Sequence, residues 1–171
     1  MKLVGKVAVI SGASRGIGAA IAKCFAANGA KVVLNYRSNR EAANAVVSEI
    51  SERRGDAIAV AGDVSNALDM GALMETAQHT FGRVDILVNN AGWAKLQPLD
   101  QIEPEAIDTQ LATNITGLIL TTQAAASVMQ SRGRVINISS IAAKGGAGGS
   151  VYSATKAAAN TLTKCYAEEL G

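Results

Sequence analysis

Val7-Ala-Val-Ile-Ser-Gly-Ala-Ser-Arg-Gly-Ile-Gly18 runs from an apolar β-branched stretch straight into a loop of small residues, and then into a helical pattern. Val7–Ser11 reads as a strand buried on both faces. Gly16–Asn28 reads as the helix that follows it. Glycines in such a loop let the backbone turn tightly and approach a ligand closely. The helix behind it directs unpaired N–H groups and a partial positive charge at the same spot. The segment therefore predicts a pyrophosphate cradle made of Gly12, Ser14, Arg15, Gly16, Ile17 and Gly18. The glycine spacing is GxxxGxG, not GxGxxG.

The same alternation continues along the chain. Lys31–Asn35, Ala57–Ala61, Val84–Val88 and Val135–Ser139 are further apolar runs expected to be strands buried on both faces. Between and after them Arg40–Arg53, Ala67–Phe81, Pro104–Gln130 and Tyr152–Leu170 read as helices, the third as one long one. Asn28-Gly29 and Arg54-Gly55 supply glycine-type helix stops. Strand–helix alternation implies right-handed crossovers and a parallel sheet. The expectation is a single Rossmann-type α/β domain over 1–171, doubly wound, with helices on both faces. No strand pattern follows the last helix, so the strand near 134–138 should lie at an open sheet edge. On that ground the chain is expected to be incomplete, lacking C-terminal strands or completed by another chain.

Composition narrows the function classes. Of 171 residues, 49% are hydrophobic and 18% charged, enough for one apolar core. The 16 basic and 14 acidic residues are dispersed, with no run suited to nucleic acid or an anionic membrane. No stretch approaches the roughly 18 apolar residues of a membrane span. Cys24 and Cys165 lie in helical patterns without metal-ligand spacing, so they are expected to be free, buried and reduced in a cytoplasmic protein, with no metal site. His79, the only histidine, is expected at the surface. Trp93 and Lys95 are expected mainly to pack their loop, with the mouth of the site as the other option.

The second strand-to-helix turn indicates which dinucleotide fits. Leu34-Asn-Tyr-Arg-Ser-Asn-Arg40 holds no acid, and none occurs between Gly18 and Glu41. An acid there would bind ribose hydroxyls and repel a 2′-phosphate. Arg37, Ser38 and Arg15 could instead bind that phosphate by charge-assisted hydrogen bonds, with Asn35 and Tyr36 lining the same turn. NADP(H) is accordingly expected in preference to NAD(H).

Tyr152-Ser-Ala-Thr-Lys156 places a phenol and an ammonium one helical turn apart, and the cation favours the phenolate that general acid/base chemistry needs. Other polar groups gather at strand ends: Asp63-Val64, where Asp63 could accept from an adenine amino group; Asn90-Ala91-Gly92; and Asn137-Ile-Ser-Ser140. Asn114 lies on the long helix. Ligands of open parallel sheets bind at these carboxyl ends.

SGASRGIG, GDV, NNAG, the Asn of TNITG, NISS and YSATK together resemble the short-chain dehydrogenase/reductase family, from the first strand to residue 171, and in particular members like the bacterial 3-oxoacyl-carrier-protein reductases. Ser11 stands where the family usually has Thr. The resemblance implies an oxidoreductase that moves hydride between the nicotinamide and a ketone, aldehyde or secondary alcohol, including 3-oxoacyl thioesters. Tyr152 would be the general acid, Lys156 would favour its phenolate and hold the nicotinamide ribose, and Asn114 would hold a water connecting Lys156 to solvent. A serine would orient the carbonyl: the strand-end pattern selects Ser140 and the family's interval from Tyr152 selects Ser139, and a one-residue deletion in the glycine loop reconciles the two in favour of Ser140. Helices at 111–129 and 152–170 would form a homodimer or homotetramer. Family members continue past the position of Gly171 with substrate-binding elements. The alternative reading is thus a non-catalytic fragment or paralogue that binds nucleotide or a full-length partner.

Overall fold

The computed structural model describes residues 1–171, and its architecture follows from which apolar runs can be covered on two sides. Strands β1 (Val7–Ile10), β2 (Lys31–Tyr36), β3 (Ala57–Ala61), β4 (Ile86–Asn89) and β5 (Arg134–Asn137) form one sheet in the order β3-β2-β1-β4-β5, every pair parallel. Helices α1 (Gly16–Ala27), α2 (Arg40–Glu52), α3 (Ala67–Phe81), α4 (Pro104–Leu111), α5 (Gly117–Ala126) and α6 (Ser150–Leu170) make the connections. The two-residue period of a strand sorts the core. Ala8, Ile10, Val32, Leu34, Ile86 and Val88 meet Ala19, Ala22 and Ala26 of α1 and Val46 and Ile50 of α2. Val9, Val33 and Leu87 point the other way, onto Met70, Leu73, Met74 and Ala77 of α3 and Ala125 of α5. This is the doubly wound parallel α/β sheet expected, and α6 packs beside α4 and the turn that follows it.

Burial on both faces holds for β1, β2 and β4 but not for the two edge strands. β3 is only half-buried, and Ile136 of β5 is 40% exposed. Each edge strand has a single neighbour, so sequence that reads as central ends up partly uncovered. The expected long helix 104–130 is also interrupted. Between α4 and α5 the residues Ala112–Thr116 form a wide π-type turn, a bulge of the kind that often marks a functional position. Cys24 and Cys165 are exposed, not buried: α1 turns Ala19, Ala22 and Ala26 inward and Cys24 outward, and most of α6 beyond Ala159 faces solvent. His79 is exposed as expected.

Helix ends are set by local chemistry. The Asn39 side chain accepts from Ala42 N–H at 2.9 Å to start α2, and Asn66 accepts from Leu68 N–H at 2.9 Å to start α3. α2 ends with Arg54 in the left-handed region at φ 61°, with Arg54 N–H bonded to Ser51 O and Gly55 N–H to Ile50 O. The left-handed position is therefore Arg54 and not the glycine after it.

At the amino ends of the strands Asp85 is nearly buried and accepts from Val7 N–H at 3.0 Å, Lys6 Nζ at 3.2 Å and Arg83 at 2.6 and 2.7 Å. Burial alone would raise its pKa, but the Arg83, Val7 and Lys6 bonds together hold it below the ordinary value of 3.8. A depressed folded-state value means that the ionised carboxylate stabilises the fold above about pH 4, and that this contribution disappears as pH falls through the folded value. Asp85→Asn should lower stability at pH 7 by roughly 1–3 kcal/mol, with a smaller difference from the unaltered chain as pH approaches 3. Urea unfolding of both chains across that range checks it; a constant difference would count against this origin.

Candidate nucleotide-binding and catalytic site

All five strands end on the same side, and a cleft of about 500 Å³ lies over those ends. Its floor is the loop from β1 to α1. Gly12 has φ 62°, and a Cβ there would lie 2.8 Å from Ala91 Cα. Gly18 has no room either, since its Cβ would meet Asn90 Nδ2 at 2.5 Å and Gly12 O at 2.7 Å. The NNAG turn closes over this loop. Ser11 Oγ accepts from Asn90 N–H and Ala91 N–H, each at 3.0 Å, while Asn90 Nδ2 donates to Ser11 O and Gly12 O, each also at 3.0 Å. Helix α1, unlike α2 and α3, has no side-chain cap, which leaves its first N–H groups for a ligand.

Most of the predicted nucleotide residues line this one cleft. Gly12, Ser14, Arg15, Gly16 and Ile17 come from the first turn, Asn35, Tyr36, Arg37 and Ser38 from the second, Asp63 and Val64 from the third, and Asn90, Ala91 and Gly92 from the fourth. Gly18 lies beneath the loop and serves its packing. Tyr152 and Lys156 are not in the cleft lining. Asn39, Gly62, Trp93 and Thr113 line it without having been expected there as ligand residues. Trp93 thus belongs to the mouth, whereas Lys95 pairs with Glu103.

The walls carry opposite charges at one corner. Arg37 Nη1 lies 3.8 Å from Asp63 Oδ2, with the Arg37 side chain 62% exposed. Asp63 Oδ1 accepts from Ser65 N–H at 2.9 Å and from Ser65 Oγ at 2.7 Å. Burial pushes Asp63 up, but these bonds, with Arg37 adding to them, hold it below the ordinary carboxylate value. No acid lies in the turns that carry Arg15 and Arg37, so beside the Arg37–Asp63 pair Arg15 adds a second cation to the cleft lining.

Deeper in, the catalytic candidates converge from three elements. Lys156 is buried, its Nζ donates to Ile138 O at 2.7 Å, and burial lowers its pKa. That nitrogen lies 5.8 Å from the centre of the Tyr152 ring. A Cβ on Gly92 would be 3.5 Å from Asn114 Oδ1 and 3.6 Å from Lys156 Nζ, so Asn114 and Lys156 flank the same glycine. The Asn114 amide is heavily engaged: Oδ1 accepts from Trp93 N–H at 2.8 Å, while Nδ2 donates to Trp93 O at 2.8 Å and Thr155 Oγ1 at 3.0 Å. The π-type turn is what brings this side chain onto Trp93 and α6 together.

The two serines differ in what they do with their protons. Ser139 Oγ donates to Lys156 O at 3.2 Å and is spent on anchoring α6. Ser140 Oγ accepts from Ala142 N–H at 3.1 Å, which leaves its hydroxyl proton available. A further polar chain was not anticipated. Asn89 Nδ2 donates to Thr122 Oγ1 at 2.8 Å and Asn137 Oδ1 at 2.9 Å, and Asn137 Nδ2 donates to Thr163 Oγ1 at 2.9 Å. Its sequence signal was slight: two asparagines ending neighbouring strands in register, Asn89 opposite Asn137.

Comparison with known proteins agrees with this geometry. The profile of a family described as short chain dehydrogenase matches residues 6–171. A 3-oxoacyl-[acyl-carrier-protein] reductase from Synechocystis is 44% identical over 171 residues, covering 98% of this chain and 69% of the relative. Versicolorin reductase 1 of Aspergillus parasiticus is 42% identical over 173 residues, covering 99% and 66%. A short chain dehydrogenase from Burkholderia cenocepacia, solved in complex with NADP, superposes with a TM-score of 0.96 at 39% identity, covering all of this chain and 71% of that one. The chain therefore spans about two-thirds of the length of such relatives.

Replacing Asn114 by Leu should remove the tie between the Trp93 backbone and Thr155. Stability should fall by about 2 kcal/mol, because buried groups are left without partners. Denaturant titration reads the loss, and Trp93 fluorescence should change with it; an unmoved midpoint and spectrum would contradict the role given to the amide.

Proposed function

The chain belongs to the short-chain dehydrogenase/reductase family of NAD(P)-dependent oxidoreductases, and from that premise we propose that it uses NADP(H) in preference to NAD(H) to interconvert a ketone or aldehyde with the alcohol, a 3-oxoacyl thioester being one substrate class. The observation that carries the cofactor reading is Arg37, exposed at the end of β2 in a turn that contains no acid. A guanidinium there pairs with a 2′-phosphate, whereas a carboxylate would repel it. NADP is the ligand named for the Burkholderia cenocepacia structure, which supports the same reading.

The residues present fit such a cofactor: an uncapped helix N-terminus for the pyrophosphate, a glycine without room for a Cβ beneath it, and cationic side chains at the ribose end. When bound, the nicotinamide supplies or accepts the hydride. Tyr152 gives its phenolic proton to the carbonyl oxygen during reduction. Ser140 donates its free hydroxyl proton to that same oxygen and orients it; Ser139, committed to Lys156 O, is the poorer choice. Lys156 spends one of its three donors on Ile138 O and keeps two for ribose hydroxyls. Asn114 holds the Trp93 loop over this pair.

A homodimer or homotetramer in the cytoplasm is part of the proposal. Leu111 and Ile119 are 41% and 37% exposed on α4 and α5, and much of α6 is uncovered. No helix is long and apolar enough to cross a membrane. The alternative is nucleotide or partner binding without turnover.

Thermal unfolding in the presence of nucleotide tests the cofactor reading. The midpoint should rise with NADPH concentration and far less with NADH. Arg37→Ala should remove the difference; equal shifts for both nucleotides in the unaltered chain would overturn the preference. Where reduction of a ketone is detected, Tyr152→Phe should lower kcat by about 10²- to 10⁴-fold with NADPH binding retained. Nucleotide binding without turnover of any carbonyl by the unaltered chain would favour the alternative.

A further inference from the structure

Asn35 is the penultimate residue of the interior strand β2, is 1% exposed, and is nevertheless polar. A buried amide has to be satisfied, and the partners it finds define what it does. Its Oδ1 accepts from Gly12 N–H at 3.4 Å, a long bond. Its main-chain oxygen accepts from Ala13 N–H at 2.8 Å. Its Nδ2 donates to Gly62 O at 2.9 Å and to Val60 O at 3.5 Å. The amide has only one orientation consistent with these neighbours, because Gly12 offers a donor and Gly62 an acceptor. One residue thus binds the phosphate loop on one side and the turn from β3 to α3 on the other.

These two loops serve different parts of a dinucleotide. Gly12 belongs to the pyrophosphate cradle, and Gly62 leads into Asp63 beside Arg37. Gly62 is itself pinned, with its N–H donating to Tyr36 O at 2.9 Å. The donor and acceptor atoms of Asn35 are taken up by protein, so its contribution to a ligand passes through the loops it joins.

We propose that Asn35 is a positioning residue: it clamps the phosphate loop to the β3–α3 turn and thereby sets affinity for the whole nucleotide without choosing between NADP(H) and NAD(H). This rests on the nucleotide reading given above. Choice remains with Arg37, which touches the one group that differs.

The test is calorimetric titration of the full chain with adenosine 2′,5′-bisphosphate and with 5′-AMP, which needs no turnover. Asn35→Ala should weaken both by the same factor, about tenfold, leaving their ratio intact. Arg37→Ala should instead collapse the ratio. Amide exchange should accelerate at Ala13 and Gly62 in Asn35→Ala while Val9 and Val33 stay protected, which general destabilisation would not produce. Should that variant not fold, Asn35→Ser keeps a small polar group that cannot span from Gly12 N–H to Gly62 O, and should likewise weaken both ligands by one factor. Undiminished binding of both ligands, or a changed ratio, would overturn the clamp alone. Failure of the unaltered chain to bind either ligand would overturn the nucleotide reading beneath it.

Discussion

Ser11 and Asn90 fasten the end of β1 to the end of β4, and the rest of the cleft depends on that fastening. The hydroxyl of Ser11 takes two backbone N–H groups from the NNAG turn, and the amide of Asn90 returns two bonds to the backbone of Ser11 and Gly12. Neither turn belongs to a regular ladder, so without this exchange several buried polar groups would be orphaned at once. The close approach it imposes leaves no space for a side chain at 12 or 18. It also fixes where α1 begins, and hence where that helix aims its free N–H groups. The Ser that stands at position 11 preserves the hydroxyl on which all this turns.

Much of this was legible before any coordinates, because the signals are local. Alternating apolar runs specify β1, β2 and β4 and the helices between them, and a glycine loop between strand and helix has few other uses. Most of the cleft-lining residues were readable because they follow the carboxyl ends of strands, a position that the order of elements determines. What could not be read was how far each element is covered. β3 and β5 have core-like sequence but sit at the sheet edges, and that depends on the strand order of the whole sheet. Cys24 looked like core material within an alanine-rich helix, yet the stripe Ala19, Ala22, Ala26 turns it outward. The π-type turn at Ala112–Thr116 falls in a run of weak helix formers, Thr113 to Gly117, a local signal that the long-helix reading passed over. The choice of Ser140 over Ser139 rested on pattern and counting, and acquires a physical basis only from the direction in which each hydroxyl donates.

Lys156 illustrates why the catalytic side is costly to build. Burial penalises its charged form, and one carbonyl, that of Ile138, is a modest compensation. A surface lysine would avoid the penalty but would be screened by water and free to rotate. Buried beyond the carboxyl end of β5, its charge acts on its neighbours through a less polar medium. Ser139 holds the main-chain oxygen of Lys156 and Asn114 holds the side chain of Thr155 beside it, so this turn of α6 is tied down by polar bonds at both residues.

The nucleotide cleft and the neighbouring region that carries Tyr152 and Lys156, outside its lining, are therefore held by different forces. The nucleotide half rests on β1, β2 and β4, whose side chains are almost wholly buried, and apolar packing there is dense and indifferent to small polar changes. The catalytic half rests on β5 and α6, which share few apolar contacts and border an open groove of about 560 Å³ beside Met129, Asn137, Tyr166 and Leu170. What joins them is a short series of hydrogen bonds: Ser139 and Ile138 to Lys156, and Asn89 through Asn137 to Thr163. Hydrogen bonds of this kind are individually worth about 1 kcal/mol but sharply directional. Local opening should accordingly begin at β5 and α6, while the nucleotide half keeps its shape. On the proposed function, a chain built this way would present a preformed cradle to the cofactor and leave the placement of Tyr152 and Lys156 to a handful of polar side chains, in which a single exchange would have more leverage on chemistry than on folding.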